Sequence, residues 1–172
     1  MNLDTFTTDR LRAERLVPEH IGEIRRMHQD PVVMQSLGGV RDEAETVAYL
    51  DRNLRHWADH GFGLWILYER SGDGRGEEPI GRGMLRHLDV DGVDEIEVGY
   101  AFYKQFWGRG LATEITMACL ALGRRELGRS SFVAVTIPDN VASQRVLQKG
   151  GLSFDREIVH AGTTHHLYRT RP

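Results

Sequence analysis

One segment sets the architecture of this chain: Glu95-Ile96-Glu97-Val98-Gly99-Tyr100-Ala101-Phe102-Tyr103-Lys104-Gln105-Phe106-Trp107-Gly108-Arg109-Gly110-Leu111-Ala112. Its first half alternates large apolar with small or acidic residues, which indicates a strand, and a helical repeat begins at Leu111. Gly108 and Gly110 connect the two. The first amides of a helix lack intrahelical acceptors, its dipole is positive there, and glycines let an anion approach the backbone. The segment therefore predicts a phosphate-binding strand–turn–helix unit.

The two commonest phosphate loops do not match this segment. It has no Gly-Lys-Ser/Thr, which argues against a nucleoside triphosphatase. It also has no Gly-x-Gly-x-x-Gly, which argues against a dinucleotide fold. Another class of phosphate-containing ligand is therefore expected.

Upstream, two helices and three strands are predicted. The first helix follows Pro18 and ends at Asp30-Pro31, and the second runs from about Asp42 to His60, with Gly61 as its C-cap. A period of two then indicates an antiparallel meander, in which the first strand has one strongly apolar face. Its strands cover about Phe62–Glu69, Pro79–Leu88 and Glu95–Tyr103, with a glycine-rich connection at 71–76 and a turn at Asp91-Gly92.

Downstream, helices and strands alternate. The predicted order is a helix from Leu111, a buried strand over Phe132–Ile137, a helix over Val141–Lys149, and strands near Leu152–Ile158 and Thr163–Arg169. Such an order is typical of a mixed α/β sheet, and we expect one domain over residues 1–172.

Composition restricts the function classes. The chain has 172 residues, a formal charge of −3, 40% hydrophobic residues and a single cysteine. The charge argues against a general nucleic-acid binder, and one cysteine excludes an internal disulfide and a multi-thiolate metal site. No secretory leader or membrane-length apolar stretch is visible, so a cytoplasmic protein is expected, with no nucleic-acid or membrane partner and no metal.

Four motifs in order resemble one family. Gln105-x-x-Gly108-x-Gly110 resembles the pyrophosphate loop of the GNAT acetyltransferases, and Glu97-Val98-Gly99-Tyr100 resembles a strand of their RimJ/RimL-like branch, which acetylates ribosomal-protein N-termini. Asn140-x-x-Ser143 with Lys149-Gly150-Gly151-Leu152, and the opening Thr8-Asp9-Arg10-Leu11-Arg12, are similar to further segments of that branch. The resemblance spans nearly the whole chain. It implies a single GNAT domain with a mostly antiparallel sheet of about six to seven strands and about four helices.

The resemblance also implies acetyl-CoA as the cofactor, with coenzyme A as the product. Its pyrophosphate would be held by the loop that follows Gln105, through the amides of Trp107, Gly108, Arg109, Gly110, Leu111 and Ala112. The pantetheine would pair with the backbone of Tyr100, Ala101 and Phe102, where this strand splays from Phe132–Ile137. Asn140 would bond the pantetheine, and Ser143 would lie near the thiol. Asn140 also fits a plain N-cap, and both roles can coexist.

Glu97 is the candidate general base, acting directly or through water. On a regular strand it shares a face with Gly99 and Ala101, and these small residues would leave room for a ligand beside the carboxylate. The alternative is an ordinary surface or salt-bridged glutamate, and a bulge in the strand would reverse the facing.

The general acid is not assigned by the resemblance. Some relatives use a tyrosine where this chain has Leu147, so Ser143 is a possible substitute, although its first-turn position also fits helix stabilisation. Gly150 replaces a larger apolar residue, which predicts looser packing there.

The expected function is N-acetyl transfer to a primary amine, by direct attack in a ternary complex. The acceptor is a protein N-terminal α-amine or a small molecule, and a homodimer is compatible with the family. Two alternatives stay open: a non-catalytic acyl-CoA-binding or sensing domain, and a nucleotide- or phosphate-binding module.

Overall fold

The computed structural model describes residues 3–70 and 78–171, so the predicted connection at 71–76 lies outside the described residues. Eight strands in these ranges form one sheet: β1 (Thr5–Thr7), β2 (Leu11–Arg15), β3 (Leu64–Glu69), β4 (Pro79–Val90), β5 (Val93–Phe102), β6 (Val133–Thr136), β7 (Leu152–His160) and β8 (Thr163–Thr170). Their order across the sheet is β1-β2-β3-β4-β5-β6-β8-β7. Every neighbouring pair is antiparallel except β5 and β6.

The described ranges also contain five α-helices: α1 (Ile21–His28), α2 (Pro31–Met34), α3 (Glu43–His60), α4 (Leu111–Leu127) and α5 (Val141–Lys149). None of the helices in residues 3–70 and 78–171 is both long and apolar enough to cross a membrane. The predicted mixed α/β architecture is confirmed, with one strand and one helix more than expected. The extra helix arises at Asp30, whose side chain accepts from the amides of Val32 and Val33 and restarts the chain as α2 at Pro31.

Capping residues set the limits of α3. The side chain of Asp42 accepts from the amide of Glu45, and the carboxylate of Glu45 accepts from the amide of Asp42. This reciprocal pair satisfies two donors that the helix cannot use internally. Gly61 ends the helix at φ +73°, a left-handed conformation that glycine adopts without strain. Both predicted ends of this helix are therefore correct to within one residue.

β3 is buried on both faces, including the strongly apolar face predicted from the sequence. Trp65 and Leu67, on the face expected to be less apolar, are both fully buried. The Trp65 ring meets Phe6 and Trp57 edge-on, and its indole N–H donates to the carbonyl of Leu3. Because β3 lies between β2 and β4 near the centre of the sheet, residues from both sides cover it.

β5 has one regular edge and one open edge. It pairs with β4 without a register shift, so Glu97, Gly99 and Ala101 share one face as expected. On the other edge β5 pairs with the parallel strand β6 at a single position, Glu97 with Val133. The two strands then part, which leaves one edge of residues 98–102 without a strand partner in the described sheet.

Candidate active site

The loop before α4 presents backbone amides. Gly108 and Gly110 have φ values of +73° and +79°, and Gly110 is the N-cap of α4. A Cβ added at Gly108 would meet nothing within 4 Å, so conformation rather than crowding requires glycine there. The amides of Leu111 and Ala112 belong to the first turn of α4 and have no acceptor within it. These donors at the positive end of a 17-residue helix fit a diphosphate.

Two backbone groups that the resemblance assigns to the cofactor, the Trp107 amide and the Phe102 carbonyl, already have hydrogen-bond partners within the protein. The amide of Trp107 donates to the carbonyl of Lys104 at 3.0 Å, because Lys104–Phe106 forms a 3-10 turn. The Trp107 indole donates to the carbonyl of Phe102 at 2.7 Å. Gln105 lies exposed in the same turn. A diphosphate would therefore have to be bound by the amides from Gly108 onward, without the Trp107 amide.

The loop is anchored to the N-terminal strands through Glu114. Its carboxylate accepts hydrogen bonds from the Thr8 hydroxyl, the Arg10 amide and the Arg10 guanidinium, which also donates to the carbonyl of Arg109 at 2.6 Å. Burial opposes ionisation of Glu114, but these hydrogen bonds lower its pKa overall. Arg109 itself is ion-paired with Glu69 on β3. Its charge thus has a protein partner, and the amides remain as the anion donors.

Polar side chains line the gap between β5 and α5. Tyr100 reaches from β5 to the first turn of α5, where its hydroxyl donates to Ser143 Oγ at 3.1 Å. Burial raises the pKa of Tyr100, against a smaller opposing effect of that hydrogen bond. Asn140 Oδ1 accepts from the amide of Ser143, so Asn140 is the N-cap of α5. Its side-chain NH₂ group is not used by that bond and can donate elsewhere.

Glu97 is almost completely buried, with 3% of its surface exposed, and forms an ion pair with Arg86. The charge of Glu97 is the main cause of the raised pKa of Arg86. The expected space beside the carboxylate is filled, because a Cβ on Gly99 would lie 2.4 Å from Cε of Met84. Glycine at this position therefore accommodates the Met84 side chain, and a ligand there would have to displace it.

His160 lies at the end of β7. It lies close enough to Glu97 for that charge to act on its titration, which opposes the dominant effect of burial. The net result is a lowered pKa, which favours the neutral imidazole. A position near the end of a hairpin carries no sequence signal, because only the fold of β7 on β8 brings it towards β5.

The departures at the end of α5 are explained by packing. Leu147 is buried in the core. A Cβ on Gly150 would lie 2.9 Å from Cγ2 of Thr116, so α5 approaches α4 closely at this point. The prediction of looser packing at Gly150 was wrong.

A family model described as an acetyltransferase (GNAT) domain matches residues 10–153. The chain belongs to this family. The two strands that part after Glu97 and the glycine-bounded loop before α4 are thus parts of a GNAT domain, and GNAT acetyltransferases use acetyl-CoA. This GNAT protein is an acyltransferase enzyme.

Three similar proteins illustrate the family. The chain is 30% identical to the uncharacterised protein YkkB of Bacillus subtilis, an alignment covering 92% of this chain and 91% of YkkB. It is 27% identical to the FsC-acetyl coenzyme A-N(2)-transacetylase of Aspergillus fumigatus, covering 98% of this chain and 70% of that protein. The ribosomal L7/L12 α-N-acetyltransferase RimL, solved in complex with coenzyme A, shares the fold at a TM-score of 0.74 and 17% identity, covering 94% of each chain.

Proposed function

We propose that this GNAT protein transfers the acetyl group of acetyl-CoA to a primary amine by direct attack in a ternary complex. The observation that carries the proposal is the parting of β5 and β6 after Glu97 and Val133. It leaves peptide groups of β5 open beside a carboxylate, a hydroxyl pair and a helix N-terminus. Amide-bearing chains pair naturally with such an edge.

In this proposal the backbone supplies most of the cofactor contacts. The amides of Gly108, Arg109, Gly110, Leu111 and Ala112 hold the diphosphate. The open edge at Tyr100 and Ala101 pairs with the pantetheine amides, and the NH₂ group of Asn140 donates to the same arm. Bound there, acetyl-CoA supplies an acetyl group on a thioester, with the sulfur near Ser143.

The amine must lose a proton as its nitrogen bonds to the acetyl carbon. Glu97 accepts that proton, directly or through water, since its carboxylate is held in place by Arg86. His160 is a second candidate acceptor, because burial lowers the pKa of its imidazole, an effect that the charge of Glu97 opposes. Either group would act on the face of β5 that carries Glu97.

The departing sulfur must gain a proton as its bond to the acetyl carbon breaks. Ser143 is the proposed donor. The Tyr100 hydroxyl donates to Ser143 Oγ, which leaves the serine proton free to point towards the thiolate. Ser143 then regains a proton from Tyr100, and Tyr100 regains one from water when coenzyme A leaves, so the pair forms a two-step relay in place of the missing tyrosine at Leu147.

The acceptor class is part of the proposal. The RimL likeness and the RimJ/RimL-like motifs favour a protein N-terminal α-amine, whereas the 27% identity to an N(2)-transacetylase favours a small amine. Both acceptors need the same proton steps, so the mechanism does not depend on this choice.

Thermal unfolding with and without about 1 mM acetyl-CoA tests the cofactor assignment. A ligand at ~100 times its dissociation constant adds about 2.7 kcal/mol, a rise of several degrees in Tm for a domain of this size. ATP should give no rise, and a panel of primary amines should release free coenzyme A thiol. An unchanged Tm with acetyl-CoA would overturn the proposal, and an equal rise with ATP would favour a general phosphate binder.

Acyl-CoA binding without acyl transfer is the alternative that the same experiment must exclude. It is favoured by the ion pair at Glu97 and by Leu147 in place of the acid used by some relatives. A clear rise in Tm with acetyl-CoA, together with no thiol release across the amine panel, would select it.

A further inference from the structure

Three arginines surround one tyrosine on the face of the sheet that carries Glu97. The guanidinium carbons of Arg41, Arg52 and Arg82 lie 5.0, 5.9 and 5.6 Å from the centre of the Tyr49 ring. They come from the segment before α3, from α3 itself and from β4. We call Tyr49 and these three arginines the Tyr49 cluster.

Among the described residues, no acidic side chain forms an ion pair with the Tyr49 cluster, although Glu45 acts electrostatically on Arg41. None of its three arginines forms an ion pair with any residue in 3–70 or 78–171, although Arg86 on the same strand as Arg82 does. Arg41 donates to the ring of His28 and to a backbone carbonyl. Such crowding of like charges calls for an anion.

Arg82 gives the most direct evidence. Only 6% of this residue is exposed, and its Nε makes no hydrogen bond within the described chain. Its Nη1 reaches Sδ of Met84 at 3.7 Å, and a thioether is a weak acceptor. A buried guanidinium is costly without hydrogen-bonding partners, so its unused donors point to a ligand that supplies oxygen atoms.

The position of the Tyr49 cluster relates it to the acceptor amine. Arg82 and Arg86 are four residues apart on β4, so their side chains leave the same face of the sheet, and Arg86 pairs with Glu97. Tyr49 also acts electrostatically on Arg86. Arg52 is exposed and Arg41 is half-buried, so the other two arginines of the cluster lie nearer to solvent than Arg82 does. An acceptor with its amine at Glu97 would therefore extend along β4 towards Arg82, and it would have to displace the Met84 side chain that lies between them.

We propose that the acceptor is a small primary amine that also carries an oxyanion, a carboxylate or a phosphate, bound by Arg82 and Arg52. This inference rests on the proposed acetyl transfer. A guanidinium donates two parallel hydrogen bonds to either oxyanion, and the charge of the anion offsets the mutual repulsion of the arginines. Because only 6% of Arg82 is exposed, a compact molecule reaches it more readily than a polypeptide terminus does.

Three amines of matched length test the proposal: β-alanine with a carboxylate, O-phosphoethanolamine with a phosphate, and β-alaninamide with a neutral amide. We expect kcat/KM for at least one oxyanion-bearing amine to exceed that for β-alaninamide by ten-fold or more. The carboxylate and phosphate arms identify which oxyanion is preferred. Equal or better turnover of β-alaninamide would overturn the proposal.

Variants locate the effect. Arg82→Gln and the exposed Arg52→Gln should each reduce the ratio of kcat/KM between the preferred anionic amine and β-alaninamide by about ten-fold. Arg55→Gln, which changes an exposed arginine one turn further along α3, is the matched control and should keep the ratio. If Arg82→Gln does not fold, Arg52→Gln alone decides, and an unchanged ratio in that variant would contradict the proposal.

A readout without turnover separates this proposal from acetyl transfer. Arg41 donates to Nε2 of His28 at 2.9 Å, so the His28 ring reports on the Tyr49 cluster by NMR. With coenzyme A present, the preferred anionic amine should shift the His28 ring signals and β-alaninamide should not. Shifts without thiol release would retain the anion site and reject the transferase. Thiol release without a preference for the anionic amine, and without shifts of the His28 ring signals, would retain the transferase and reject the anion site.

Discussion

The cofactor side of this GNAT domain and its proposed acceptor side are built from different groups. On the cofactor side, glycines at positive φ and an unpaired strand edge expose backbone donors and acceptors. On the proposed acceptor side, side chains from α3, β4, β5 and β7 would make the contacts, among them Arg82, Glu97 and His160. A backbone site is set by local conformation, whereas a side-chain site depends on how distant elements pack. The two sides should therefore respond differently to substitution.

The largest effect is expected at Gly108. Gly108→Val places a branched side chain at φ +73° in the proposed diphosphate loop and should weaken acetyl-CoA binding about 1,000-fold, or ~4 kcal/mol, by calorimetric titration. Gly128→Val is the matched control, because Gly128 has φ +61° and open space at the other end of α4. Both variants should lose similar stability, and only the first should lose affinity. Equal affinities in the two variants would remove the loop from the cofactor site.

Ser143 should affect rate more than binding. Ser143→Ala should lower kcat about 100-fold, since it removes the proposed proton donor while the cap by Asn140 remains. Tyr100→Phe keeps the ring and removes only the relay hydroxyl, so a smaller loss of about ten-fold is expected. Tyr168→Phe, at a buried tyrosine on β8, should change neither kcat nor the affinity for acetyl-CoA. A wild-type kcat in Ser143→Ala would exclude the relay.

The pH profile of kcat distinguishes Glu97 from His160. His160 has a lowered pKa, so if it takes the amine proton, activity is retained above that pKa and falls as the pH drops through it, below about 6.5. His160→Gln would then abolish the acid limb and most of the rate. If Glu97 is the base, Glu97→Gln should cost about 100-fold and His160→Gln should leave the limb in place. Using one amine throughout keeps its own ionisation constant between variants.

The smallest effect is expected in stability, at His28. Burial, followed by the charges of Arg41, Arg82 and Arg52, lowers the pKa of His28 to about 4. The unfolded chain therefore takes up a proton between pH 6.5 and about 4 that the folded protein does not, so stability falls as the pH drops through this window. Denaturant unfolding should show a loss of about 1–3 kcal/mol from this group. His28→Gln should flatten the slope, and an equal slope in both proteins would contradict the assignment.

Sequence reasoning located the glycine loop before α4 but not the Tyr49 cluster, for a physical reason. The loop at Gly108 and Gly110 is contiguous, and its left-handed glycines and helix start are recorded in neighbouring residues. The residues of the Tyr49 cluster are spread between positions 41 and 82 and come from three parts of the fold. No regular spacing in the sequence therefore predicts the cluster. The same holds for His160. At Gly99 the sequence predicted the facing of the residue correctly but not the filled space beside it, because that space is occupied by the Met84 side chain from the neighbouring strand.

The hydrogen bonds of Glu114 have a consequence for handling the protein. Thr8 and Arg10 donate hydrogen bonds to Glu114 at the start of α4, more than a hundred residues further along the chain. Arg10 also donates to the carbonyl of Arg109 in the glycine turn. Trimming the N-terminus back to Leu11 would leave α4 and its glycines intact but remove these donors. The shortened protein would keep the glycine motif of the loop but lose the hydrogen bonds that fix the conformation of the loop.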